Sequence, residues 1–297
     1  MLKEQAIKIV EDHIHEKVAD INQVTNRGQV NEIYILATSQ GKYVLRVDPN
    51  EDNLARFTKE TWAMQVAQEQ GVFIPEVFET GLVDGHPYTL MSFVEGVNGD
   101  EVDDQDSIWK RLGEYARKIH AIPVQGYGET MISPGVFSDS WLRFVDYNIF
   151  SLTADDKAIE LGIITEEQSA ELKKVFLELR DVQLTFGLMH YDLSLKNTII
   201  TPNGDVCLID WGSVGASVVP HLDIAEILDS SLSEDSKQFN LFLEGYGMVR
   251  SDYEKLKSQI AHINLLIHMD KLRWAFDRRP DKIAYFSEKV KERLATL

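Results

Sequence analysis

His190-Tyr191-Asp192-Leu193-Ser194-Leu195-Lys196-Asn197, with Leu208-Ile209-Asp210-Trp211-Gly212 a short distance downstream, is the stretch whose reading decides the fold of this chain. Between the two segments, Thr198-Ile199-Ile200 and Val206-Cys207-Leu208-Ile209 are strand-like runs around Thr201-Pro202-Asn203-Gly204-Asp205, a strong turn signal. A hairpin there holds its ends side by side. Asp192 and Asn197 then enter from one end while Asp210 leaves from the other, so two carboxylates and a carboxamide converge.

That group suits phosphoryl transfer. A carboxylate orients an acceptor hydroxyl and takes its proton, while hard oxygen ligands hold magnesium on the transferring phosphates. Asp192 fits the first role, and Asn197 and Asp210 fit the second. The spacing Asp-x4-Asn matches the kinase catalytic loop, and Asp210-Trp211-Gly212 stands where its Asp-Phe-Gly element stands.

Working upstream, Ala6, Val10, Ile14 and Val18 share one face of a helix predicted from Lys3 to Val18. Ile33-Tyr34-Ile35-Leu36 and Tyr43-Val44-Leu45-Arg46-Val47 read as strands joined by Thr38-Ser39-Gln40-Gly41. A helix follows from Leu54 to Gln70, closed by Gly71 as a left-handed cap. Two more strands, around Val77-Thr80 and Tyr88-Val94, flank the turn Asp84-Gly85-His86-Pro87. The boundary of this small β-rich lobe, residues 1–95, is placed at Glu95-Gly96.

From 96 to 297 the pattern is helical apart from the hairpin. Ile108, Leu112, Tyr115, Ala116 and Ile119 recur at helical spacing, and Thr165-Glu166-Glu167-Gln168 reads as a capping box. Ser251-Asp252-Tyr253-Glu254 is expected to open another helix in the same way, stopped at Asp277-Arg278-Arg279-Pro280. The fold class is therefore α+β, with a small β-rich lobe before a larger, mainly helical one.

Composition bounds the function. The chain has 297 residues, 44% of them apolar and 26% charged, which is ordinary for a globular protein. No run approaches the roughly 18 to 20 apolar residues of a membrane span, and the first residues lack the apolar core of a signal peptide, so a cytoplasmic location without membrane attachment is expected. With 30 basic and 48 acidic residues the formal charge is −18, which opposes nucleic-acid binding and would attract cations. Cys207 is the single cysteine; it excludes an internal disulfide and reads as a buried strand residue.

Together these residues resemble the aminoglycoside phosphotransferase and choline kinase family, small-molecule relatives of the protein kinases with their two-lobed fold. Gly28-Gln29-Val30-Asn31-Glu32 is similar to the family's nucleotide loop, and Val44-Leu45-Arg46-Val47 to the strand bearing its phosphate-contacting cation. Glu60 falls where the family's helix supplies that cation's partner. Leu90-Met91-Ser92-Phe93-Val94-Glu95-Gly96 resembles the interlobe hinge, where backbone groups of Ser92 and Val94 would pair with an adenine edge. Leu112 to His120 is similar to the first large-lobe helix, and Pro220-His221-Leu222-Asp223-Ile224-Ala225 to the stretch after the metal-binding aspartate.

The resemblance implies an ATP-dependent kinase, with GTP left open, in which Gly28, Asn31, Arg46, Glu60, Ser92 and Val94 serve the nucleotide. Asn197 and Asp210 would serve Mg2+, and Asp192 catalysis. It leaves the acceptor open among an aminoglycoside or similar antibiotic, an amino alcohol, and a sugar or homoserine-like metabolite. A cationic small molecule is favoured by the family and by the net charge; the oligomeric state is open. The rival reading is a catalytically silent nucleotide-binding regulator.

Three departures stand out. The nucleotide loop holds one glycine instead of the G-x-G-x-x-G of protein kinases. Arg46 replaces the lysine many members use, keeping the charge while changing the geometry. Tyr191 replaces the family's usual glycine, which is expected to narrow the acceptor site. Gly41-Lys42 is not a P-loop, lacking the upstream glycine and a following Ser or Thr. His190 reads as a packed scaffold residue, Asp223 as a brace for the catalytic loop, and the acidic run Asp100 to Asp106 as a solvated helix entry. Trp274 and Asp277 are weighed as acceptor contacts against core packing.

Overall fold

The computed structural model of the protein describes residues 3–24, 31–49 and 53–295. Its first lobe comprises α1 (Lys3–Ile14), β1 (Asp20–Val24), β2 (Glu32–Ala37), β3 (Lys42–Val47), α2 (Leu54–Glu69), β4 (Val77–Val83) and β5 (His86–Ser92). The strands form an antiparallel sheet in the order β1-β2-β3-β5-β4. Tyr34 and Leu36 of β2, Leu45 and Val47 of β3, and Leu90 of β5 pack on one face against Ala6 and Val10 of α1. Because side chains alternate along a strand, Arg46 points to the other face, where α2 lies.

The turns behave as their chemistry predicts. Asp84 and Gly85 take φ of 48° and 85°, the left-handed pair a two-residue hairpin turn requires, and Gly71 caps α2 at φ 76°. Two expectations need correction. The first helix stops at Ile14 instead of Val18, with His15 at φ 59° and the Val18 N–H donating to Glu11 Oε1 at 3.1 Å. β1 was absent from the sequence reading because this edge strand carries Asp20, Asn22 and Gln23 and has no buried residue to set an apolar alternation.

The chain then enters the larger lobe through β6 (Val97–Asn98), α3 (Asp106–His120), β7 (Tyr127–Ser133), β8 (Val136–Asp139), α4 (Trp141–Phe150), α5 (Lys157–Glu160) and α6 (Glu166–Asp181). It continues with β9 (Phe186–Met189), β10 (Thr198–Ile200), β11 (Val206–Leu208), β12 (Gly215–Val218), α7 (His221–Ser230), α8 (Lys237–Tyr246), α9 (Arg250–Arg278) and α10 (Ile283–Leu294). The expected hairpin is β10–β11, in the register Thr198↔Leu208, Ile199↔Cys207 and Ile200↔Val206. β6 adds to it, and a second sheet runs β8-β7-β12-β9. These extra strands correct the reading of residues beyond Gly96 as helical apart from the hairpin; three of them carry glycines that interrupt an apolar pattern.

The Thr165 capping box is present, with Thr165 Oγ1 accepting the Gln168 N–H at 3.1 Å and Gln168 Oε1 accepting the Thr165 N–H at 2.9 Å. The one expected at Ser251 is not: α9 already starts at Arg250, behind Val249, and Arg250 instead bridges Glu234 and Glu254. α3 and α8 cross at backbone contact, because a Cβ on Gly113 would lie 2.0 Å from the Phe242 carbonyl oxygen and one on Gly245 1.9 Å from that of Lys110. Only glycine fits either position. The lobes share a core in which Ala63, Met64 and Ala67 of α2 join Trp109, Leu112, Leu208 and Trp211. Among the described residues no helix is long and apolar enough to cross a membrane.

Candidate active site

The loop that carries Asp192 is held from both sides. His190 is fully buried, stacked edge-on to Trp211 at 4.9 Å between ring centroids, and its Nδ1 accepts the Asp192 N–H at 3.3 Å. Burial pushes the imidazole pKa down, so the ring stays neutral and its lone pair remains available. Asn197 Nδ2 donates to the Asp192 carbonyl at 2.9 Å. Asp192 is thereby fixed by its backbone while its carboxylate stays accessible, with the side chain 37% exposed. Further back, His120 Nε2 meets Asp223 Oδ2 at 2.7 Å in a buried pair, and His120 Nδ1 meets the Tyr246 hydroxyl at 3.1 Å. Asp223 thus ties α7 to α3.

Tyr191 takes φ 67°, a left-handed conformation that costs an L-residue on the order of 1–2 kcal/mol and glycine nothing. That explains why a glycine is usual at this point of the motif. The ring packs against the core built by α4, α6 and α9, and a Cβ on Gly215 would sit 3.3 Å from its Cε2.

The Ile209 N–H donates to the Asn197 carbonyl at 2.9 Å, tying the exit of the hairpin to its entrance. The next residue, Asp210, turns left-handed at φ 61° and ψ 67° and exposes its carboxylate. A Cβ on Gly212 would lie 3.5 Å from Asp210 Oδ1 and 3.7 Å from Glu60 Oε1, so the hairpin's exit and α2 approach each other there. The donors suit a hard cation: Asn197 spends its amide nitrogen on Asp192, which leaves Oδ1 as its available end, and Asp210 brings a carboxylate. Among the described residues no group of three or more His, Cys, Asp or Glu could hold a metal. Magnesium tolerates this, because it usually takes one or two protein ligands and completes its shell with phosphates and water.

Across the cleft, Arg46 is paired with Glu60, their side chains 13% and 2% exposed. Arg56, one turn before Glu60, places Nε 3.4 Å from Glu60 Oε1 and donates through Nη2 to Asp48 Oδ2 and Asn31 Oδ1, both at 2.8 Å. The Phe57 ring lies 4.6 Å from the Arg46 guanidinium carbon and 5.5 Å from that of Arg56. Burial pushes the Arg46 pKa down to about 10, with the charge of Asp210 acting against the shift, so the guanidinium is charged at neutral pH. Lys59, also buried, donates to the Val214 carbonyl at 2.6 Å and fastens α2 to the segment following Asp210-Trp211-Gly212.

Gly28 lies outside the described residues. Asn31 receives Arg56. Ser92 ends β5, its N–H donating to the Glu76 carbonyl and its Oγ accepting the Glu76 N–H, both at 2.9 Å. Val94 lies in the connector beyond it. Trp274 stands edge-on to Phe286 at 6.5 Å on the outer part of α9 and is 42% exposed. Cys207 is buried, its thiol pushed up to about 12, and is chemically quiet.

Sequence reasoning missed three cations. Arg56 had a readable signal in its i,i+4 spacing to Glu60. Lys59 had none, since its partner is 155 residues away. Lys196 places Nζ 3.5 Å from Asp192 Oδ1, again at i,i+4.

The phosphotransferase enzyme family (APH) matches residues 23–258. No curated protein sequence matches. A thermostable mutant of aminoglycoside phosphotransferase APH(4)-Ia, solved with AMP-PNP and hygromycin B, has a similar structure at TM-score 0.69 and 19% identity, covering 98% of each chain. The GDP and kanamycin complex of APH(2")-IIia is similar at TM-score 0.67 and 17% identity over 100% of this chain and 99% of that one. Choline kinase LicA from Streptococcus pneumoniae is similar at TM-score 0.63 and 17% identity, covering 99% of both. A two-lobed fold with these neighbours, and a family match over most of its length, make this chain a member of the phosphotransferase enzyme family.

Proposed function

We propose that the protein transfers the γ-phosphate of ATP to a hydroxyl group of a small molecule. The observation that carries this reading is that the exposed Asp210 carboxylate acts on the buried, Glu60-paired Arg46 guanidinium, while Asp192 and Asn197 are tied to the entrance of the same hairpin. Proteins of similar structure solved with AMP-PNP and hygromycin B, and with GDP and kanamycin, support it.

In this reading Arg46, steadied by Glu60, neutralises the nucleotide phosphates. Backbone groups of the connector at Ser92 and Val94 hold the base, and Gly28 and Asn31 belong to the covering loop. Asn197 Oδ1 and Asp210 hold Mg2+, which when bound screens the phosphate charge. The Asp192 carboxylate accepts the proton of the acceptor hydroxyl as its oxygen bonds to the γ-phosphorus, and the bond to the β-phosphate breaks with its electron pair leaving on ADP. Positioning and charge neutralisation provide most of the barrier reduction, as in other phosphoryl transfers. Lys196, next to Asp192, is placed to follow the negative charge on the transferring group.

A coupled assay of nucleotide turnover over aminoglycosides, macrolides, amino alcohols and sugars tests the reading. Magnesium-dependent turnover with one acceptor class is expected. Magnesium-dependent nucleotide binding with no turnover on any of them would favour the silent regulator.

A further inference from the structure

α2 is docked on the larger lobe by its second half. Ala63, Met64 and Ala67 pack into the shared core, and beyond the helix end the Leu208 N–H donates to the Phe73 carbonyl at 2.9 Å and Lys118 Nζ to the Gly71 carbonyl at 2.8 Å. Lys59, nearer the start, is 4% exposed, and among the described residues its Nζ makes one hydrogen bond, to the Val214 carbonyl at 2.6 Å. Burying a lysine on a single bond is costly, and a methionine of similar length would fill the space without that cost. Docking therefore leaves Lys59 unexplained.

The turn at the other end of that bond gives the reason. Asp210 takes φ 61° and ψ 67°, a conformation that costs an L-residue on the order of 1–2 kcal/mol and persists only where its surroundings enforce it. Upstream, the Ile209 N–H is tied to the Asn197 carbonyl at 2.9 Å. Downstream, Trp211 is buried with Nε1 3.4 Å from the Leu208 carbonyl, and the Val214 N–H closes the turn by donating to the Trp211 carbonyl at 3.2 Å. Gly212 and Ser213, between these two anchors, are not buried. The Val214 carbonyl is where the turn meets α2, and Lys59 is the side chain that holds it.

Lys59 and Glu60 are consecutive, so one turn of α2 reaches both sides of the site: Glu60 pairs with Arg46, and Lys59 holds the backbone that follows Asp210. Burial pushes the Lys59 pKa down while the charge of Glu129 acts against that shift, and Nζ donates in either protonation state. We infer that Lys59 is a positioning residue for the metal: it keeps the turn after Asp210 against α2, and with it the Asp210 carboxylate at the place where Mg2+ meets the nucleotide phosphates. Lys59 itself touches neither. The inference rests on the reading of Asp210 as a magnesium ligand given above.

The test is the binding of AMP-PNP to the whole chain, measured by calorimetry without Mg2+ and over a series of Mg2+ concentrations, and it needs no acceptor. Lys59→Met is expected to raise the Mg2+ concentration at half effect by about 3- to 10-fold, within what the loss of one hydrogen bond allows, and to leave magnesium-free affinity within about twofold. Lys59→Gln, one atom shorter and still polar, is expected to act in the same way, and it carries the comparison if melting shows the methionine variant unfolded. An unchanged half-effect concentration would overturn the inference. So would an equal loss of magnesium-free affinity, because a general loosening of α2 disturbs Arg46 and Glu60 as much as the turn. A magnesium effect that survives Asp210→Ala would instead overturn the metal reading beneath it.

Discussion

On the β-lobe side of the cleft, Arg46, Glu60, Arg56 and Asp48 form a chain of ion pairs in which the two carboxylates are 2% and 0% exposed. On the helical side Asp192 is fixed through its backbone, its partly exposed carboxylate met by Lys196 Nζ at 3.5 Å, and Asp210 is exposed at a left-handed turn. The difference follows from what each side would do. Cations that meet phosphates gain from being fixed before the nucleotide arrives, since reorientation then costs nothing during the reaction. A base and a metal ligand must exchange protons, water and ions, and a buried ion pair would prevent that.

Breaking this comparison starts at Asp210. Asp210→Ala is expected to lower turnover by about 10^2- to 10^3-fold and to flatten the magnesium dependence of nucleotide affinity, with little change in melting temperature, because an exposed carboxylate has little folding role. Titrations of nucleotide with and without magnesium would show it; a variant with unaltered magnesium dependence would separate Asp210 from the metal.

Glu60→Ala should do the opposite. It strands the guanidinium of Arg46 and leaves Arg56 with Asp48 as its one paired carboxylate, and losing one partner of a buried pair costs about 3–5 kcal/mol of stability. Urea unfolding of Glu60→Ala beside Asp210→Ala measures the contrast. Equal stability in the two variants would mean that the buried chain is no more structural than the exposed one.

The smallest effect is a pH dependence carried by His190. Its folded pKa lies below the ordinary 6.5, so the unfolded chain takes up a proton first as pH falls. Its contribution to stability is therefore complete above about 6.5 and lost on acidification towards the folded pKa, with a slope of at most about 1.4 kcal/mol per pH unit. His221 and His268 shift in the same direction, again through burial, and add to the slope. His190→Gln should make the fall in stability between pH 7.5 and 5.5 shallower. An unchanged slope would show that His190 is not buried neutral.

Where the fold was legible in the sequence, the signal was local. The β10–β11 hairpin, the capping box at Thr165 and the glycine after α2 each rest on residues within a few positions of one another. β1 and the β7–β12 pairing failed for the opposite reason: polar or glycine-bearing strands depend on partners far along the chain, and Ala216 pairs with Gly128. Ser251 shows the limit of a motif, since Ser-x-x-Glu stands inside a helix as readily as at its start. The same division runs through the site. The Asn197–Asp192 bond and the Arg46–Glu60 pair follow the order and spacing of the sequence, whereas the Lys59 bond to Val214 is a product of tertiary packing.

The most direct test of the division between the two sides is a paired measurement on Asp192→Ala, of nucleotide affinity by calorimetry and of γ-phosphate transfer to the acceptor. Affinity within about twofold of the unaltered protein is expected, with transfer reduced by about 10^2- to 10^4-fold, the usual share of a general base. Transfer that survives the substitution, or nucleotide affinity that collapses with it, would contradict the account.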